Sequence, residues 1–210
     1  EVLPTTHPHL NLPNVLVKKW EVRALPYFLE APARLLKQVD DKYFAHTLYD
    51  RIKQSDMYDK ALKMYITSES LENETLHIGR ARAFTPGWLE REACFMHMEY
   101  KYLYGLLKSG LYKEYYEDIR TCLPPFMDAS IYGRSTLENS SFIASSKNPN
   151  PHNHGRGFVA RLTGTTAEMI SMWKVMMMGK SLFNFVNNEL VLKLEPILHR
   201  DFFDENKEIS

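Results

Sequence analysis

Apolar side chains recur at three- and four-residue spacing over several stretches of this chain, the mark of helices with one buried face. The longest such stretch runs from about Trp88 to Lys108. In it Phe95, Met98, Tyr102 and Leu106, with Leu103 and Leu107 alongside, form the stripe, and Gly110 stands where a helix ends. Tyr112 to about Leu123 gives another helix, stopped by Pro124-Pro125. Phe44, Leu48 and Ile52 predict a helix over 43–52. Tyr27, Phe28, Leu35, Leu36 and Val39 predict one that starts near Pro26, with Pro32 as a break in it. A short helix is expected over 56–65. Thr165-Thr166-Ala167-Glu168 has the form of a capping box, and the stripe behind it is Met169, Met172, Trp173, Met176 and Met177.

Strand signals are few. Leu190, Leu192 and Leu194 alternate with Val191, Lys193 and Glu195, which predicts one strand over 189–195. The first 25 residues, with Pro4, Pro8 and Pro13, read as an extended lead-in that carries a β-favouring run at Val15–Val17. Two long segments lack any period, 68–86 and 128–161, and loops of that length in a compact domain are usually functional. The tail from Asp201 is acidic and expected to fray. The fold class expected is mainly α, with helical hairpins and a short C-terminal strand.

Composition narrows the function classes. A chain of 210 residues fits one domain. Its 26 basic residues balance 26 acidic ones, and no Lys/Arg block occurs, which argues against a nucleic-acid partner. The longest apolar run is far short of the roughly 20 residues a membrane span requires, so no membrane partner is expected. Cys94 and Cys122 lie in helical surroundings. No disulfide framework and a reducing compartment are the expectation. Glu1 rather than Met opens the chain, as in a piece of a longer protein.

Three groups of residues could carry chemistry. On a helix starting at Trp88, Glu90 and His97 stand two turns apart on one face, a carboxylate and an imidazole for a polar ligand. The plainer account makes Glu90 a first-turn acid and His97 a satisfied core histidine. Thr163-Gly164-Thr165 opens the Met-rich helix, where backbone N–H groups and the dipole favour an anion, or where Thr165 simply caps. Arg80 and Arg82 could fork onto a phosphate or carboxylate, although surface arginines are common. Gly155-Arg156-Gly157 has no preceding strand and a misplaced third glycine, so a dinucleotide loop is rejected. His152 and His154 lack companions at metal-ligand spacing, and no metal is expected. These signals describe a pocket for an anion and a polyol.

Taken together, several blocks resemble a known family. They are 78–90 (Ile-Gly-Arg-Ala-Arg-Ala-Phe-Thr-Pro-Gly-Trp-Leu-Glu) running into 95–102, then Tyr132-Gly133-Arg134-Ser135 with Leu137–Phe142, and Gly157–Glu168. The chain from about Leu25 to Phe203 resembles the C-terminal part of the inverting β-glycoside phosphorylases, and most nearly the large members that act on 1,2-β-linked oligoglucans. The resemblance implies that residues 1–185 are the last part of an (α/α)6-barrel catalytic domain and that 186–210 lead to a β-rich portion. It implies reversible phosphorolysis of β-glucosides to α-glucose 1-phosphate with inversion. Inorganic phosphate is then the co-substrate, and no cofactor or catalytic base is needed.

In that resemblance His97, Thr163 and Gly164 bind phosphate, while Glu90 and Arg82 line the sugar site. The Asp-rich segment that carries the family's general acid has no counterpart here. No catalytic residue is therefore assigned within the chain, and its partner is expected to be the missing upstream part, with a homodimer also compatible. A non-catalytic helical carbohydrate-binding or interaction module, and a fragment of a helical-barrel glycoside hydrolase, are the alternatives.

Overall fold

A computed structural model describes residues 1–159 and 163–206. Ala160, Arg161 and Leu162 of the third resembling block, and the last four residues of the acidic tail, lie outside the described residues. The lead-in folds back on itself. Val2–Thr6 (β1) and Pro13–Val15 (β2) pair antiparallel, with Val2 opposite Val15 and Thr6 opposite Pro13.

Glu30–Leu36 forms α1. Pro32 is its third residue, where the N–H has no partner inside the helix, so the proline starts the helix and does not break it. Lys42–Gln54 is α2, capped by Asp41, whose carboxylate accepts from the N–H groups of Tyr43 and Phe44 at 2.9 and 3.2 Å. The helix expected over 56–65 is instead a hairpin of Tyr58–Asp59 (β3) and Met64–Tyr65 (β4). The Asp59 carboxylate accepts from the N–H groups of Ala61 and Leu62 at 3.0 and 3.1 Å, and Lys63 has φ 56°. That local turn competes successfully with a helix.

Trp88 does not begin a helix either. Cys94–Phe95 (β5) precedes α3, which spans Met96–Ser109. Leu89 and Glu92 have φ of 51° and 55°, which no α-helix accommodates. The reason is Arg91, whose buried guanidinium donates to the carbonyls of Arg82 and Phe84 at 3.1 and 3.0 Å and pairs with Glu92 and Glu72. A turn delivers that group to the loop carbonyls. Tyr112–Cys122 is α4 and Ala129–Tyr132 is α5. Phe142–Ile143 (β6) and Gly157–Phe158 (β7) join β5 in a three-stranded antiparallel sheet of order β5-β6-β7.

Thr163–Met178 is α6. Its buried side chains are Thr165, Met172, Val175 and Met176, while Trp173, expected in the core, is 56% exposed. The predicted C-terminal strand has a partner: Phe183–Val186 (β8) pairs with Glu189–Leu192 (β9) across Asn187 and Asn188, both at positive φ. This hairpin therefore starts before residue 186. The architecture is mainly helical with small two- and three-stranded sheets.

α3 is the centre. Tyr102, Leu103, Leu106 and Leu107 have no exposed surface, and α1, α4 and α6 pack around it. α1 approaches closely at Gly105, where a Cβ would stand 2.9 Å from Leu36 Cβ and 3.2 Å from the Ala33 carbonyl. Behind α3 lies a polar cluster. The Asp118 carboxylate pairs with Lys53 and accepts from the Tyr65 hydroxyl at 2.5 Å. Burial opposes the Lys53 charge, but Asp118 more than compensates and holds the ammonium above its usual range. Cys94 and Cys122 are buried and free.

Glu99 is fully buried in the same region. Its Oε1 accepts from the Tyr65 N–H at 2.9 Å, and the Cys122 thiol lies against the same carboxyl. Burial pushes its pKa up to about 8. The folded state thus keeps a proton that the unfolded state loses above its ordinary carboxyl pKa, so stability falls as pH rises from about 4.5 to about 8. The loss approaches about 5 kcal/mol at its limit. Glu99→Gln should flatten this slope and raise denaturation midpoints at pH 8. Urea melts at pH 5 and pH 8 for both proteins measure it, and equal slopes would contradict the assignment.

Candidate functional site

The first turn of α6 rests on the start of α3. His97 is the second residue of α3, with 27% of its side chain exposed. Its ring lies directly on Gly164. A Cβ there would stand 2.5 Å from Cε1, 2.6 Å from Nδ1 and 2.7 Å from Nε2, so only glycine permits this contact. The two blocks that sequence singled out separately, 66 positions apart (163 − 97), therefore meet. Phe95 holds the ring from the side, edge-on at 6.0 Å between centroids.

Charges converge on this contact from three helices. α6 contributes Glu168, which pairs with Lys37 at 3.2 Å and faces His97 Nε2 at 3.9 Å. α3 contributes Lys101, which pairs at 3.2 Å with Glu30 of α1, and Glu30 also binds Arg34. Lys37 in addition lies over the Tyr104 ring at 4.6 Å. Burial, then Lys101, lowers the His97 pKa below its ordinary value, against the opposing pull of Glu168. The imidazole is accordingly neutral near pH 7. Three cations against two carboxylates leave one positive charge in excess, before the helix dipole is added. Such a place suits an anion.

Thr163 and Thr165 differ. Thr163 is exposed at the helix start, whereas Thr165 is buried inside the first turn, its Oγ1 without a partner among the described residues. Thr165 therefore does not cap the helix. Glu168 likewise does not complete a capping box, because its carboxylate is taken by Lys37 and His97.

Glu90 and Arg82 lie elsewhere. Since α3 begins at Met96, Glu90 shares no helix face with His97. Its carboxylate receives a two-pronged Arg80 guanidinium, one arm at 2.8 Å, and its carbonyl accepts from the Thr67 hydroxyl at 3.0 Å. Arg82 donates to the carbonyls of Glu74 and Glu72 at 3.1 and 2.8 Å, closing the 72–82 loop. His154 Nε2 bonds to the Asn148 carbonyl at 2.8 Å. Among the described residues no cluster of three or more His, Cys, Asp or Glu could hold a metal, and no helix is long and apolar enough to cross a membrane. Lys37, Lys101 and Glu30 went unnoticed in sequence. They come from two helices, and no local motif links them.

No family model matches the chain, and no curated protein matches it.

The electrostatics of the ring make a direct prediction. Glu168→Gln should lower the His97 pKa further, and Lys101→Gln should raise it, each by a few tenths to about one unit. A pH titration of the imidazole signals by NMR checks both. Shifts of the opposite sign would contradict the arrangement described.

Proposed function

We propose that this chain is the phosphate- and sugar-binding C-terminal part of an inverting β-glycoside phosphorylase, and that its helices belong to an (α/α)6 barrel. The observation that carries the reading is the seat of the His97 ring on Gly164 at the start of α6. Two residues that the resemblance assigns to phosphate share one contact, under a net positive charge and at the first turn of a 16-residue helix.

In this reading phosphate lies against the N–H groups of the first turn and the Thr163 hydroxyl, with His97 as a neutral hydrogen-bonding partner. Thus held, it attacks the anomeric carbon of a β-glucosyl unit from the face opposite the leaving group. The product is α-glucose 1-phosphate. Glu90, whose carboxylate is held by Arg80, and Arg82, which closes the 72–82 loop, are the residues that the resemblance assigns to the sugar. The acid that protonates the departing oxygen is supplied from outside this chain. General acid help is worth about 10²–10⁴-fold in rate, so the chain alone should be a binder and a very poor catalyst. A cytoplasmic location, where a sugar phosphate is retained, suits this reading.

Calorimetry with inorganic phosphate tests it. His97→Ala and Thr163→Ala should each weaken binding about tenfold or more, the cost of one lost hydrogen bond to a charged group. Unchanged affinity in both would overturn the proposal in favour of a saccharide-binding module. Incubation with phosphate and a 1,2-β-oligoglucan should yield almost no glucose 1-phosphate, and turnover typical of a complete enzyme would contradict the missing-acid argument.

A further inference from the structure

The segment between β2 and α1 has no regular secondary structure over residues 16–27 and carries apolar side chains into solvent: Trp20 is 82% and Val22 97% exposed. Two anchors hold its far end on the 69–74 loop. Arg23 donates to Glu74 at 2.7 Å, and the Tyr27 N–H donates to the Glu69 carboxylate at 2.9 Å.

That surface is an apolar cleft of about 340 Å³ between α1 and α2. Ile52 and Met57 form its buried floor, and the walls are Phe28, Leu35 and Leu48. Phe28 and Leu35 remain about two-fifths exposed, at 41% and 42%. Arg51 lines the cleft. Among the described residues its guanidinium has no ion pair or hydrogen bond, and neither has the carboxylate of Glu21, next to Trp20. An arm bearing an indole and an unpaired acid thus accompanies a cleft bearing an unpaired base.

We propose that the arm of one copy of this chain docks Trp20 in the α1–α2 cleft of a second copy, with Glu21 against Arg51, and that the exchange is reciprocal. Reciprocity follows from size. A stable interface buries about 800 Å² per partner, and an indole supplies only about 200 Å². One arm in one cleft falls well short, whereas a two-fold exchange doubles the buried area to about 400 Å² per partner, enough for a weak, reversible dimer.

Sedimentation of the full chain up to about 100 μM reads the outcome. The wild type should dimerise reversibly. Trp20→Ala should weaken the dimer at least about tenfold, as should Glu21→Arg and Arg51→Glu singly, while the two charge reversals combined should recover affinity to within about threefold. All three side chains are exposed in the single chain, so circular dichroism should show unchanged folding. The proposal fails if the wild type stays monomeric, if Trp20→Ala leaves the dimer intact, or if the paired reversal does not restore it.

Discussion

Helix α3 has helices packed on several sides, and at two of these contacts nothing larger than a hydrogen fits. At Gly105 it admits α1 to the distance where a Cβ would collide with Leu36. At its start, His97 accepts Gly164 of α6 against its ring. Everything proposed for the site depends on the second contact. It fixes the α6 terminus beside an imidazole and brings Glu168 level with Lys37 and Nε2. An alanine at 164 would be favoured by helix propensity alone, by up to about 1 kcal/mol. The glycine therefore answers to the ring and not to the helix.

Around this contact the polar groups fall into two sets with different physics. Behind α3, Glu99, Asp118 and Tyr65 are buried, with the part-exposed Lys53 ammonium on Asp118, and burial raises the pKa of all three buried groups. Beside α6, His97, Glu168, Lys37, Lys101 and Glu30 are partly solvated and can rearrange around a guest. The first set stabilises one fold over a limited pH range. The second has an excess of positive charge, which suits an anion.

Much of the helical plan was legible in sequence, because it rests on period. The stripe of α3, the stop at Gly110 and the helix ahead of Pro124 appear where three- and four-residue spacing places them. Two of the errors share one cause, a polar side chain that captures local backbone. Asp59 turned an expected helix into the β3–β4 hairpin, and Arg91 delayed α3 by eight residues, from 88 to 96. The same delay dissolved the expected pairing of Glu90 with His97. Conversely, only the resemblance put His97 and Gly164 on one ligand, and no spacing could reveal that they touch. Asn187-Asn188 was a readable hairpin signal, since asparagine tolerates positive φ, but Phe183–Val186 before it lacks the long alternation that marks 189–195.

The central claim is that the His97–Gly164 contact is a phosphate seat. The most direct measurement follows the Gly164 amide and the His97 ring nitrogens by NMR while inorganic phosphate is added, with Gly164→Ala as the comparison. The account predicts that both sets of signals move together and saturate with one binding constant, and that the alanine, which displaces the ring without unfolding α6, abolishes the coupled shift. Signals that stay in place, or that move identically in the alanine variant, would contradict it.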